Sequence, residues 1–260
     1  MMREPIASLF DLKGRRALVT GASSGLGRHF AHTLAAAGAE VAIAARRIEQ
    51  LQQVVADIET SGGTARAFAL DVTSRAAVTS CLDSIWQGFG PLDIVVNNAG
   101  VSDTKNVFAY QDEDWDLILD TNLKGAWAVA QEAARRMVER EQGGSLINVT
   151  SILASRVAGA VGPYSVAKAG LSQLTRSMAL ELARHGIRVN SLAPGYVKTE
   201  LNAEFLHSEA GERLRARIPT RRFCDFGDLD GALLLLASDA GKAMTGSEIV
   251  VDGGHLCSGL

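Results

Sequence analysis

Tyr164 and Lys168 stand four residues apart in the run Tyr164-Ser-Val-Ala-Lys168, and Ser151 precedes Tyr164 by thirteen positions. On a helix starting near Pro163, that spacing puts the phenol and the ammonium on one face, a turn apart. An ammonium beside a phenol favours the phenolate and lowers its pKa. A tyrosine that ordinarily titrates at about 10 then serves as general acid or base nearer neutrality. Ser151, just past an apolar run, offers a hydroxyl to a substrate oxygen as charge develops there. The spacing alone equally suits a packed tyrosine and a solvated lysine. No GxSxG surrounds Ser151, which argues against it as a serine-hydrolase nucleophile.

Upstream, Gly21-Ala-Ser23-Ser24-Gly25-Leu26-Gly27 separates the apolar run Arg16-Ala-Leu-Val-Thr20 from a helical pattern. A strand feeding a glycine-rich turn at a helix start brings backbone N–H groups up to a pyrophosphate, whose charge the helix N-terminus favours. The glycines follow GxxxGxG rather than GxGxxG, and a plain strand-to-helix turn would use them as well. The surrounding elements raise the nucleotide reading.

Residues 16–20, 40–45, 65–69, 93–96, 145–150, 187–192 and 248–251 are short runs rich in Val, Ile, Leu and Ala, the composition of strands buried on both faces. Helical patterns lie between them near 26–37, 47–60, 74–87, 112–140, 165–184 and 228–238, several closed by glycines such as Gly38, Gly143 and Gly186. This alternation predicts a doubly wound, Rossmann-type α/β fold with a seven-stranded parallel sheet. No linker divides the chain, so residues 1–260 are expected to form one dinucleotide-binding and catalytic domain. The stretch 197–226 interrupts the pattern and is expected to act as a substrate lid, with Leu201, Phe205, Leu206 and Leu214 as its apolar cover. Ligands in such sheets bind beyond the carboxyl ends of the strands. Asp71, Asn97-Asn98-Ala99-Gly100, Ser151 and Pro194-Gly195 all fall at those ends.

Lys and Arg number 26 against 29 Asp and Glu, a net charge of −3, so no nucleic-acid surface is expected. No segment approaches the roughly 18 uninterrupted apolar residues of a membrane span, and no apolar stretch follows the opening Met-Met-Arg-Glu-Pro. A cytoplasmic protein with no membrane partner is expected. Cys81, Cys224 and Cys257 are too scattered for a disulfide framework or a metal set. His29 and His32 lack companions at ligand spacing, and no metal is expected. Trp115 and Trp127 are expected to pack rather than to bind substrate.

From about Leu12 to Gly254 the chain resembles the classical short-chain dehydrogenase/reductase family. The resemblance rests on Thr20-Gly21-Ala-Ser-Ser-Gly25-Leu-Gly27, Asp71-Val72, Asn97-Asn98-Ala99-Gly100, Asn122, Ser151, Tyr164-Ser-Val-Ala-Lys168, Pro194-Gly195 and Asp252-Gly253-Gly254. It implies that Tyr164 gives a proton to a carbonyl during reduction and takes one during alcohol oxidation, while Ser151 steadies the reacting oxygen. Lys168 would lower the Tyr164 pKa and bond the nicotinamide ribose, and Asn122 would hold the helix and water relay that reaches Lys168. Gly21, Ser23, Ser24, Gly25, Leu26 and Gly27 would cradle the dinucleotide, and Asp71 and Val72 would meet the adenine. Asn97, Asn98 and the backbone of Ala99 and Gly100 would border the adenosine side, with Pro194, Gly195, Val197 and Thr199 at the nicotinamide. A homotetramer is also implied, built on helices around 112–140 and 162–184 and on the last strand. The tail His255-Leu-Cys-Ser-Gly-Leu260 would lie near a subunit boundary and help enclose a neighbour's cleft.

NAD-binding folds often place an acid after the second strand to hold the ribose 2′-hydroxyl, and here Ala44-Ala45-Arg46-Arg47 occupies that point. The Arg46 fork suits a 2′-phosphate, with Ser24 adding a hydroxyl, while Arg47, at the next helix start, is a further cofactor-binding candidate that would otherwise be surface charge. NADP(H) is therefore expected over NAD(H). Leu153, Arg156, Val157 and Val161, between Ser151 and Tyr164, are the pocket candidates, and Arg156 either receives an acidic substrate group or points to water. The expected function is NADP(H)-dependent interconversion of a ketone or aldehyde with an alcohol. Two alternatives stand beside it: a 3-oxoacyl-thioester reductase of fatty-acid synthesis, whose carrier protein would meet Arg135, Arg136, Arg176 and Arg184, and a non-catalytic dinucleotide-sensing module.

Overall fold

Runs apolar on both sides have to be covered on both sides, and the helices between them do this. The structure is a computed structural model and describes residues 6–199 and 203–258, without the side chains of Ala203 and Phe205. Strands β1 (Arg16–Thr20), β2 (Glu40–Ala45), β3 (Thr64–Ala69), β4 (Ile94–Asn97), β5 (Gly144–Val149), β6 (Ile187–Pro194) and β7 (Glu248–Val251) form one parallel sheet. Their order is β3-β2-β1-β4-β5-β6-β7, so winding reverses between β1 and β4. A crevice opens at such a reversal, beyond the carboxyl ends of the strands.

Alternate residues of each strand feed opposite faces. Ala17, Val19, Val41 and Ile43 pack with Phe30 and Leu34 of α1 (Gly25–Ala36), Leu51 and Ile58 of α2 (Ile48–Thr60), and Leu233 of the helix Asp230–Ala237. Leu18, Ala42 and Val95 meet Leu82 and Ile85 of α3 (Arg75–Gly88) on the other face, with Val129 and Met137 of the helix Ala126–Arg140. The edge strand β7 is half-buried along its length.

The stretch expected as one helix over 112–140 is α4 (Asp112–Leu119), a π-helical turn (Asp120–Gly125) and α5 (Ala126–Arg140). The wide turn carries Asn122, in keeping with the concentration of such bulges at functional sites. Helix α6 (Gly162–Leu182) begins three residues earlier than its pattern suggests, because Pro163 suits the first turn. Trp115 and Trp127 do not pack inward: they are 41% and 39% exposed, and the Arg75 guanidinium lies over the Trp127 ring.

The interruption after β6 holds α7 (Ala203–His207) and α8 (Glu209–Arg215), followed by α9 (Asp230–Ala237). Leu206 and Leu214, expected in the apolar cover, pack with Ile218, Phe223 and Tyr196 into a small cluster of their own. Burying those side chains within the segment stabilises it as a folded unit. Leu201 and the Phe205 side chain lie outside the described residues, as do Gly259 and Leu260 of the tail.

Candidate active site

The glycine turn closes tightly at two points. A Cβ on Gly21, whose φ is +67°, would come within 2.7 Å of the Ala99 Cα, and one on Gly27 within 2.4 Å of the Gly21 carbonyl oxygen. Only glycine lets β1, α1 and the loop after β4 approach this closely. Gly25, with φ +56°, faces open space. Asn98 braces the turn, its Nδ2 donating to the Thr20 carbonyl at 3.0 Å and to the Gly21 carbonyl at 3.3 Å. Leu26 packs against the main cluster behind it.

A cavity of about 160 Å³ lies over this turn, walled by Gly21, Ser23, Ser24, Arg46, Asp71, Val72, Ala99 and Gly100 among others. The Asp71 carboxylate accepts from the Thr73 amide and hydroxyl at 3.0 and 2.8 Å, which holds its pKa below the usual range. Arg47 is not mere surface charge. Its Nη2 donates to Ser23 Oγ at 3.0 Å and Ser24 Oγ at 3.2 Å, drawing the guanidinium across the glycine turn. Arg46 is exposed on the same wall. The turn, with two arginines and two hydroxyls converging, fits a dinucleotide carrying an additional phosphate.

Asn97 departs from its expected place. Its amide is buried between β4 and α5, donating to the Ala126 carbonyl at 3.1 Å and Asn148 Oδ1 at 3.0 Å, so it braces the core rather than the adenosine edge. At the other half of the cleft Pro194 ends β6, and the Gly195 amide bonds the Val251 carbonyl at 2.9 Å. The Val197 side chain is in the core beside Cys224. Thr199 follows at the last described position before the interruption.

Ser151 caps a short 3₁₀ turn at the end of β5, its Oγ accepting from the Leu153 amide at 3.1 Å. Tyr164 and Lys168 share one face of α6, the lysine Nζ lying 5.6 Å from the centre of the tyrosine ring. Nζ is buried and donates to the Val149 carbonyl at 2.7 Å. The expected lowering of Tyr164 by Lys168 is absent from this geometry. Burial pushes the phenol up, the Ser151 hydroxyl pulls it down by hydrogen bonding, and Tyr196 adds to the rise. Burial also brings Lys168 down, to about 8. Burial is the largest cause of both shifts, and the ammonium is engaged with the strand.

Asn122 sits in the π turn with both side-chain ends on one residue: Oδ1 accepts from the Val101 amide and Nδ2 donates to its carbonyl, each at 2.7 Å. It clips the loop that follows Asn97-Asn98-Ala99-Gly100. No direct hydrogen bond joins it to Lys168 among the described residues.

Sequence reasoning left the destination of Arg156 open and missed that of His255. Arg156 donates through Nη1 to the His255 carbonyl and, at 2.8 Å, to Ser258 Oγ. The tail's 3₁₀ turn (His255–Cys257) thus docks on its own chain, against the loop that carries Ser151. The run Asp252-Gly253-Gly254 was the available signal, since Gly253 and Gly254 both have positive φ and turn the chain back after β7. Of the arginines expected to meet a carrier protein, Arg136 is spent on Glu132 and Asp83.

A parallel sheet that aims a phosphate-binding turn and a half-buried tyrosine beside a buried lysine at the same edge is suited to exchanging hydride and proton with a carbonyl, which is oxidoreductase chemistry. A family model described as enoyl-(acyl carrier protein) reductase matches residues 21–255. A short-chain type dehydrogenase/reductase from Mycobacterium marinum is 41% identical, with a TM-score of 0.92 over 97% of this chain and 100% of that one. A gluconate 5-dehydrogenase from Burkholderia cenocepacia, solved with NADP and tartrate, is 34% identical with a TM-score of 0.95, covering 98% of this chain and 100% of that one. The 3-oxoacyl-[acyl-carrier-protein] reductase of Staphylococcus aureus is 37% identical over 246 residues, 92% of this chain and 97% of the relative. The chain belongs to the short-chain dehydrogenase/reductase family. No described helix is long and apolar enough to cross a membrane.

Proposed function

We propose that this protein interconverts a small, polyhydroxylated ketone and its alcohol with NADP(H), using Tyr164 as general acid and base. The observation that carries the reading is the contact of the Ser151 hydroxyl with the Tyr164 phenol beside a buried Lys168. Bound NADPH supplies the hydride that reduces the carbonyl carbon. Ser151 donates to the carbonyl oxygen and stabilises its growing charge. Tyr164 gives its proton to that oxygen, which leaves a phenolate; burial keeps the phenol protonated at neutral pH, so the proton is there to give. Lys168 then offers the nearest positive charge to the phenolate, and Asn122, by fixing the loop at Val101, keeps the floor of the cleft in place. In alcohol oxidation the same groups run in reverse.

Cofactor selection rests on Arg46 and Arg47, which wall the same cavity and stand directly after β2, where an acid would hold a free 2′-hydroxyl. The relative solved with NADP supports this assignment. Gluconate 5-dehydrogenase as a relative favours a polyol or sugar acid over an acyl thioester. The enzyme of the 3-oxoacyl class is the second reading, favoured by the S. aureus relative and weakened by the commitment of Arg136 to ion pairs. Three unpaired cysteines suit a reducing compartment such as the cytoplasm. The segment 197–226 is proposed to move as a folded lid, and four copies are proposed to assemble through α5, α6 and β7.

The test follows absorbance at 340 nm with NADPH and with NADH over ketoses, oxo acids, acetoacetyl thioester and simple ketones. Turnover of a ketose or oxo acid with NADPH is expected to exceed that of the thioester. A thioester preference transfers the protein to the second reading, and tight NADPH binding with no turnover on any substrate revives the dinucleotide sensor.

A further inference from the structure

Two polar groups near Ser151 and Tyr196 are not used by the proton-transfer scheme. Arg156 follows Ser151 on the same tight turn, its amide bonded to the Ile152 carbonyl at 2.9 Å. His255 comes to this place from the other end of the chain. Its ring centre lies 5.8 Å from that of Tyr196, and Tyr196 is close enough to raise the Tyr164 phenol electrostatically. The His255 side chain is only 7% exposed, and its Nδ1 is closed off from solvent with no hydrogen-bond partner among the described residues. Leaving a buried polar atom unpaired costs free energy, and of the two ring nitrogens Nε2 is the one not closed off. Arg156 anchors the tail through Nη1 alone, and no hydrogen bond from its Nε or Nη2 is found among the described residues.

We propose that His255 and Arg156 form the polar end of the substrate cleft and select a substrate bearing a carboxylate and hydroxyls, a hydroxy or oxo acid, over neutral ketones and acyl thioesters. The guanidinium meets the carboxylate and the imidazole meets a hydroxyl. This deepens the proposed function and rests on Tyr164 carbonyl chemistry taking place in the same cleft. Both are specificity residues, since neither is needed to move the proton.

The test has a binding arm and a kinetic arm. Calorimetry measures D-gluconate binding to the complex of the enzyme with NADP⁺ for the native protein, His255→Phe, Arg156→Ala, Arg156→Lys and Ser258→Ala. His255→Phe keeps a ring against Tyr196, and Ser258→Ala loosens the tail without removing the charge. Loss of the charged contact is expected to weaken gluconate binding roughly 10- to 100-fold in Arg156→Ala, with His255→Phe also weakened, Arg156→Lys intermediate and Ser258→Ala close to native. In the kinetic arm, the ratio of kcat/KM for 5-keto-D-gluconate to that for D-fructose is expected to fall by a similar factor in Arg156→Ala. NADP⁺ affinity and Tm identify any variant that fails to fold, for which Arg156→Gln or His255→Gln is substituted. Native protein that binds no gluconate overturns the proposal, as do variants that bind it like the native protein or lose both substrates equally. Persistence of reduction in Tyr164→Phe strikes at the proposed function instead, and the calorimetry still judges the two specificity residues.

Discussion

Lys168 donates a hydrogen bond from its ammonium to the Val149 carbonyl across 2.7 Å, tying helix α6 to the end of β5, just before Ser151. That single acceptor does little to offset the loss of water around a buried charge, and burial lowers the lysine from 10.5 to about 8. The folded protein therefore binds this proton less tightly than the unfolded chain does. The penalty is fully present below pH 8 and is relieved as pH rises toward 10.5, where the unfolded lysine also becomes neutral.

Lys168→Met is thus expected to match or exceed the native Tm at pH 7 in the absence of cofactor, since an apolar side chain of similar length fills the site without a charge. Its advantage should shrink between pH 8 and 10.5. NADPH affinity and turnover should both fall in the same variant. A melting series across pH checks the sign, and a variant less stable at pH 7 than at pH 10 relative to native protein contradicts it.

Tyr164→Phe keeps the ring and removes the transferable proton. Carbonyl reduction should drop roughly 10²- to 10⁴-fold, the usual contribution of a positioned acid. NADPH binding, measured by fluorescence, should change little because the glycine turn is untouched. Near-native turnover by the purified variant would remove Tyr164 from its assigned role.

Arg46→Ala and Arg47→Ala should each weaken NADPH more than NADH. One charge-assisted contact of about 1.5–3 kcal/mol corresponds to a loss of roughly 10- to 150-fold. Arg47→Ala should cost NADH a little as well, since its guanidinium also bonds the Ser23 and Ser24 hydroxyls of the turn. Equal losses for both dinucleotides in both variants would assign the arginines to the fold instead.

The strands were readable because burial on both faces leaves an unbroken apolar run, and each boundary fell within two residues of the observed one. The glycine turn, Ser151, Tyr164 and Lys168 were readable because local spacing fixes them. Long-range partners decided the remainder. Asn97 and Asn98 are adjacent in sequence, yet strand alternation sends one amide into the core and leaves the other at the turn. Arg47 reaches Ser23 and Ser24 only because β1 and β2 are neighbours in the sheet. Arg156 and Ser258 are 102 residues apart, and no local pattern records their contact. The Tyr164 pKa was misjudged for a related reason: spacing reveals the neighbouring charge but not how much water the fold removes from both groups.

The exposed tryptophans bear on assembly. Trp127 lines a groove of about 570 Å³ between α5 and α6, with Val138, Leu174, Met178 and Leu182 along its walls. Leu180 is 83% exposed on α6, and Trp115 and Leu117 are 41% and 52% exposed on α4. Large apolar side chains left on outer helix faces mark surfaces that a partner covers, and the proposed tetramer would cover them with closed symmetry. Sedimentation is expected to give a tetramer at micromolar concentration. Leu180→Asp and Trp127→Glu change residues at least 39% exposed in the single chain, so each should fold while shifting the sedimentation coefficient toward smaller species. Their Tm should rise with protein concentration, because burying a carboxylate at the interface opposes association and leaves stability dependent on it. Native protein that sediments as a monomer at every concentration refutes the assembly. Tetramers that survive both substitutions place the interface elsewhere, away from the α5 and α6 groove.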